Sequence, residues 1–259
     1  QLALFGKHPG WNDHIDDIGL RTDELVAVRR TLYSSGIASN IESGYWDKLP
    51  PDQRVDGFGH AFLWQFDPTL MYGRMWPSSD GKGRTRYPMV ACIQFDGVPP
   101  VDGVRLGEAF LGRLGEECLA THRAEIVQGA VERIQSELAR EVAALSLDAK
   151  GHAHAVVALR ETESLRGGGL ERVMYRLDPH KTGMLDDAQS DLRVPGLSAR
   201  DSDLAMWCLF LSMWGGSQSR LLIQQLSHGW IDLLLGDVKP QDLSCLLRSP
   251  QSLPLTTDV

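Results

Sequence analysis

Cysteine is scarce in this chain of 259 residues. The four present, Cys92, Cys118, Cys208 and Cys245, lie far apart and form no CxxC step, which argues against a zinc ribbon and a disulfide framework. Cys92 and Cys208 sit inside apolar runs, where a thiol serves as a small buried hydrophobe, so a reducing compartment is expected. Long hydrophobic runs are missing as well. The longest, LAMWCLFLSMW at 204–214, is about half of the roughly 20 residues that a bilayer-crossing helix needs. The opening residues do not read as a secretory leader. These features predict a cytoplasmic protein without membrane insertion. Positive charge is in deficit: 26 Lys and Arg stand against 34 Asp and Glu, a net charge of -8. Phosphate neutralisation needs a basic face, so nucleic acid is not expected as a main partner.

The chain also lacks the usual catalytic spacings. There is no GxSxG elbow. GKHPG (6–10) and GKGR (81–84) are Gly-Lys loops without the GxxxxGK[ST] spacing of a P-loop, and the second leads into a strand, so no helix N-terminus awaits an anion. His122 follows Cys118 by four residues, neighbours if both are helical, but no third group orients them. His152 and His154 would share a face of a strand, with no carboxylate or cysteine nearby in sequence to complete a site. The loop at 6–19 is richer: His8, Asp13, His14, Asp16 and Asp17 crowd together. Imidazoles and carboxylates this close suit a metal-dependent hydrolase using His8, Asp13 and His14. Against that, the stretch has no HxH step and Pro9-Gly10 separates its histidines; a solvated loop leading into a helix is the alternative. No catalytic residue, metal or cofactor is assigned.

What is present is an ordinary globular composition, 42% hydrophobic and 23% charged, enough for a sizeable core. LALF (2–5) reads as a strand, and Thr22 as the N-cap of a helix through DELVAVRRTLYSSGIA. HAFLWQF and LMYGRMW, separated by Asp67-Pro68-Thr69, suggest a hairpin, and YPMVACIQF adds a third, antiparallel strand. From 106 to 147 the pattern is helical, and Gly112, Gly115 and Gly129 suggest a break into two helices. GHAHAVVAL (151–159) is strand or helix. RGGGLERVMYRLD (166–178) reads as a glycine turn feeding a strand; WCLFLSMW, SRLLIQQL and WIDLLLG read as strands, and KPQDLSCLLRS as a short helix. The expectation is an α+β fold: a single domain over 1–259, with a largely antiparallel central sheet and helices packed on it. It would comprise N-terminal strands and loops (1–100), a helical middle (101–150), and C-terminal strands and a helix (166–250).

Two stretches carry a family resemblance. FGKHPGWNDH (5–14) resembles the N-terminal signature of the TagF/ImpM family, proteins associated with bacterial type VI secretion: Gly-Lys-Leu-Pro, two variable positions, Gly-Asp-Phe. Gly6, Lys7, Pro9 and Asp13 match, while His8, Asn12 and His14 depart. WPSSDGKGRTRYPM (76–89) is similar to the family's second signature, matching at Pro77, Ser78, Asp80, Gly83, Arg84, Tyr87 and Pro88, with one extra residue between Arg84 and Tyr87. The matches cover about the first hundred residues. A looser likeness is the tryptophan-bearing strand expected at 207–214, followed later by a short GW-containing strand and a final helix. The resemblance implies a non-enzymatic accessory protein that restrains secretion post-translationally. It would act through the system's cytoplasmic components, among them a forkhead-associated scaffold protein. A structural subunit of another complex is the further alternative. In the second loop Asp80 is expected to accept backbone N–H bonds, and Arg84, with its planar fork, to cross-brace to Asp13. The joined loops would then be either a structural brace or a docking surface.

Overall fold

Successive side chains of a strand point to opposite faces, and in this protein both faces are buried. Leu2 and Leu4 enter one core while Ala3 and Phe5 enter another. That is why the strands read as nearly continuous apolar runs rather than as alternation. A computed structural model of the chain describes residues 1–66, 68–145, 172–175, 192–196, 202–214 and 219–256. Among the described residues, seven strands form one sheet: β1 (Leu2–Gly6), β2 (His60–Phe66), β3 (Thr69–Trp76), β4 (Met89–Asp96), β5 (Leu192–Pro195), β6 (Arg220–Gln225) and β7 (Trp230–Leu235). Their spatial order is β1-β4-β3-β2-β6-β7-β5, and every neighbouring pair is antiparallel. Pairing of β2 with β6 joins the N-terminal four strands to the C-terminal three. The fold is α+β, with an antiparallel sheet drawn from both halves of the chain.

Thr22 does cap the first helix, accepting a bond from the Leu25 N–H at 3.3 Å. Asp23 and Glu24 occupy the first turn, where the helix dipole favours negative charge. This helix is α1 (Asp23–Val28), which widens into a π-helical stretch (Arg29–Ile37) and tightens again as α2 (Ala38–Glu42). Together with a 3₁₀ helix at Pro240–Leu247, it covers one face of the sheet. The other face carries α3 (Pro100–Leu119), α4 (Ala124–Ala144) and α5 (Ser202–Trp214). Among the described residues, no helix is long and apolar enough to cross a membrane.

Three sequence expectations are corrected. The run containing WCLFLSMW is helix α5, not a strand. It packs on α3, β2 and β6, and Leu204, Ala205, Trp207, Cys208, Phe210 and Leu211 are all buried. A helix enclosed on every side loses the polar stripe that would mark its period. Residues 172–175 are helical rather than part of a strand, and β5 was not anticipated. The glycines expected to break the helical middle lie inside helices, whose junction falls at 120–123. GHAHAVVAL, with His152 and His154, lies outside the described residues.

At the β5 edge a buried ion pair closes the structure. Arg193 meets Asp232 through two parallel bonds of 2.6 and 2.9 Å. Its remaining donors reach the carbonyls of Cys245, Arg248 and Leu253, and the guanidinium lies 4.6 Å from the Trp230 ring centroid. Strand β5 and the C-terminal segment are thereby tied to one another.

The helical glycines differ in purpose. A Cβ placed on Gly107 would sit 2.2 Å from the Tyr72 ring and 3.0 Å from its Cβ, whereas one on Gly129 meets nothing within 4 Å. Gly107→Ala is therefore expected to cost about 1–3 kcal/mol through overpacking. Gly129→Ala should raise stability by about 0.5–1 kcal/mol through helix propensity. Urea denaturation of the two variants checks the opposite signs.

Candidate functional site

The two signature stretches are separated in sequence by the helical segment Asp23–Glu42 and the β2–β3 hairpin, yet the sheet brings them together. The first leaves the C-terminal end of β1 and the second enters the N-terminal end of β4, and these strands are antiparallel neighbours with Gly6 opposite Met89. Both loops therefore emerge at one end of the sheet rather than over its face. Gly6 adopts φ 99° with the Pro88 carbonyl 2.3 Å from where a Cβ would stand. No other residue fits there. The Lys7 N–H donates to that same carbonyl at 3.0 Å, so the loops are stitched at their base.

Asp80 is the centre of the cluster that joins them. Its side chain is fully buried. Oδ1 accepts the backbone N–H groups of Lys82 and Arg84 at 2.9 and 3.0 Å, as expected of an aspartate in a tight turn. Oδ2 accepts Lys7 Nζ at 3.0 Å and Arg84 Nε at 2.6 Å. Burial alone would raise this carboxyl's pKa. The Arg84 N–H, the Lys7 and Arg84 side chains and the Lys82 N–H more than reverse that and hold it well below the ordinary carboxylate range. Gly83, at φ 78°, turns the chain so that its N–H returns to the Asp80 carbonyl at 2.9 Å.

The first loop closes over this centre. Lys7, almost wholly buried, reaches Asp13 Oδ1 at 2.5 Å, and Arg84 Nη2 bonds the same oxygen at 2.9 Å and the Asn12 carbonyl at 3.1 Å. The expected Arg84–Asp13 brace is thus present, but it is the outer layer: both side chains are more than half exposed. The Gly81 N–H adds a bond to the Trp11 carbonyl at 2.6 Å. Tyr87 lies under Lys7, its ring centroid 5.7 Å from Nζ. Its ring also meets those of His14 and Tyr33 at 5.7 and 5.9 Å. Pro9 contributes through its backbone, its carbonyl bordering Gly81; Pro77 packs beside Gly57; the Ser78 hydroxyl is buried with no partner among the described residues.

Sequence reasoning missed Tyr33, which the π-helical stretch inserts beneath the loops. Its hydroxyl is buried and finds no partner among the described residues, and burial raises its pKa. Nothing in the local sequence of RRTLYSSGI marks a widened helix, a feature that recurs at functional sites.

The three residues weighed as metal ligands do not converge. His8 is buried, with Nδ1 accepting the Gly10 N–H at 3.0 Å and Nε2 lying 2.8 Å from the Cys118 carbonyl. Nε2 therefore carries the proton, and both nitrogens are engaged by backbone. Burial lowers the His8 pKa, in keeping with a neutral ring. His14 instead faces Asp13, its Nδ1 at 3.2 Å from Oδ1. Among the described residues, no group of three His, Cys, Asp or Glu side chains is placed to hold a metal ion. His122 lies beyond the end of α3, not on it beside Cys118.

Next to the second loop is an open pocket of about 360 Å³, with Ile41, Trp46 and Phe58 among its walls and Thr85 and Arg86 contributed by the loop. Arg86 pairs across it with Asp47. Among the described residues, no Ser, Cys or His lines it; its polar lining includes Asn40, Asp47, Arg54, Asp56 and Thr85.

The layering has a measurable consequence. Lys7→Met removes the buried one of the two cations that hold Asp80 and should lower the urea midpoint more than either outer-layer change. Asp13→Asn, in the exposed layer, should change the urea midpoint little, and Arg84→Ala should fall between the two. An Asp13→Asn variant as unstable as Lys7→Met would contradict this order. The Asp80 pKa is lower in the folded protein than its ordinary 3.8, so the unfolded chain binds the proton first. The stability it contributes is complete well above pH 3.8 and declines as pH falls through that value. Asp80→Asn should flatten this acid limb in a pH series of melts.

No protein-family model matches the chain, and no curated protein does. Among solved structures it is similar to the crystal structure of PA0076 from Pseudomonas aeruginosa PAO1, at 20% sequence identity and a TM-score of 0.35. The likeness covers 57% of this chain and 64% of that one, which is too slight to bear on either fold or function.

Proposed function

We propose that this chain is a non-enzymatic accessory protein of bacterial type VI secretion, related to the TagF/ImpM family and regulating the system post-translationally by protein–protein contact. One observation carries this reading. The two stretches that resemble the family's signatures meet through direct bonds, from Lys7 and Arg84 to both Asp80 and Asp13. The residues on which the resemblance rests are thus a single built unit. Its outer layer, Asp13, Arg84 and the neighbouring Lys82 and Arg86, is exposed, the arrangement a contact surface requires. The engagement of both His8 nitrogens by backbone favours a binding role over hydrolysis through His8, Asp13 and His14. The four cysteines are free and buried, which suits a reducing cytoplasm. Its partners there would be cytoplasmic components of the system, including a forkhead-associated scaffold protein.

The test is overproduction of the chain in a bacterium carrying an active type VI system. The tube protein released into the medium should fall at least several-fold, with its level inside the cells unchanged. Arg84→Glu, verified as folded by circular dichroism, should restore release. Undiminished release with the wild-type chain would overturn the proposal.

A further inference from the structure

Three nitrogens converge on one oxygen at the top of the site. Asp13 Oδ1 receives Lys7 Nζ at 2.5 Å and Arg84 Nη2 at 2.9 Å, and His14 Nδ1 lies 3.2 Å away. The carboxylate they hold is the most exposed group of the cluster, its side chain 68% accessible, whereas Lys7 is 3% accessible and Asp80 beneath it 0%. The Arg84–Asp13 pair is exposed on both sides and contributes little, and Lys7, though buried, keeps Asp80 as a partner when Asp13 leaves. The cations need no help from Asp13. Asp80 Oδ2 grips Lys7 Nζ and Arg84 Nε from below, and the Asn12 carbonyl holds Arg84 Nη2 from the side. The loop backbone is fastened independently by the Gly81–Trp11 bond and the Lys7–His14 bridge. Rotation of the Asp13 side chain alone would uncover a socket whose donors stay aimed.

We infer that Lys7, Arg84 and His14 form a carboxylate-binding socket that Asp13 occupies as an internal stand-in, and that an Asp or Glu side chain of a partner protein displaces it. The charge balance favours a carboxylate. Lys7 and Arg84 carry two positive charges against two negative ones on Asp80 and Asp13. With Asp13 swung out, the socket is one unit positive, which a single carboxylate neutralises and a dianionic phosphate or sulfate exceeds. Lys7 against the Tyr87 ring, with the His14 and Tyr33 rings beside it, gives the socket an aromatic wall for the partner's side-chain stem. This inference goes beyond the secretion reading, because it concerns only what the purified chain recognises.

The experiment opens the socket by Asp13→Ala and compares thermal melts in sodium acetate, sodium sulfate and sodium chloride at equal ionic strength. Acetate should raise the Tm of the variant by about 2–4 °C over chloride, saturably, and leave the wild-type chain, whose socket is filled, unchanged. Adding Arg84→Ala to the variant should abolish the gain. Asp13→Ser, shorter and without charge, also opens the socket, should show the same selectivity, and serves if the alanine variant does not fold. A variant that responds to acetate no more than wild type would overturn the proposal, as would greater stabilisation by sulfate than by acetate, which would assign a dianion to the site. Because only salts and purified chain are used, a failed secretion assay leaves this outcome intact.

Discussion

A carboxylate removed from water must be given donors or it will not stay charged, and Asp80 takes four: two backbone N–H groups of its own turn and the side chains of Lys7 and Arg84. Much of this end of the molecule depends on that demand. Lys7 can reach inward only because Gly6 takes a left-handed conformation against the Pro88 carbonyl. Arg84 can grip Asp80 and Asp13 together only because Gly83 turns the loop back. Asp13 and His14 then assemble on the surfaces that Lys7 and Arg84 present. The order of burial, Asp80 beneath Lys7 beneath Asp13, is also an order of necessity.

The opposite edge of the sheet uses a buried ion pair differently. Arg193 and Asp232 satisfy one another bidentately, and Arg193 directs its spare donors to three carbonyls of the C-terminal segment. This pair is enclosed and its donors are directed at backbone, so nothing is left to offer a partner. Set beside it, the Lys7–Asp80–Arg84–Asp13 cluster is unusual in ending at solvent.

Much of this was legible in the sequence where local chemistry decides. Thr22 ahead of two acidic residues is a cap wherever it occurs, and HAFLWQF and LMYGRMW could hardly be anything but paired strands. The two loops were recognisable by their residues, and the fork of Arg84 made Asp13 a natural partner. What was not legible depends on surroundings. LAMWCLFLSMW has no polar stripe because α5 is covered on all sides. Gly115 looks like a helix breaker until Trp76 is seen lying against it. Lys7 gives no sign in the sequence that it is buried rather than free, and the burial of Asp80 depends on a strand pairing no local pattern records. The widened turn that seats Tyr33 is set by how the helix packs, not by RRTLYSSGI itself.

The pairing of β2 with β6 has a bearing on how the protein is made. Arg220 and Gln65, partners across that ladder, are 155 residues apart in sequence. At about 5–20 residues per second, the ribosome delivers β6 roughly 10–30 s after β2. From the completion of β4 until β6 arrives, the nascent four-stranded half presents an open apolar edge at Ala61, Phe62 and Leu63, the kind of edge that recruits foreign strands. Folding on the ribosome therefore leaves a waiting period in which a chaperone, or a second nascent chain, competes for the place that β6 will take.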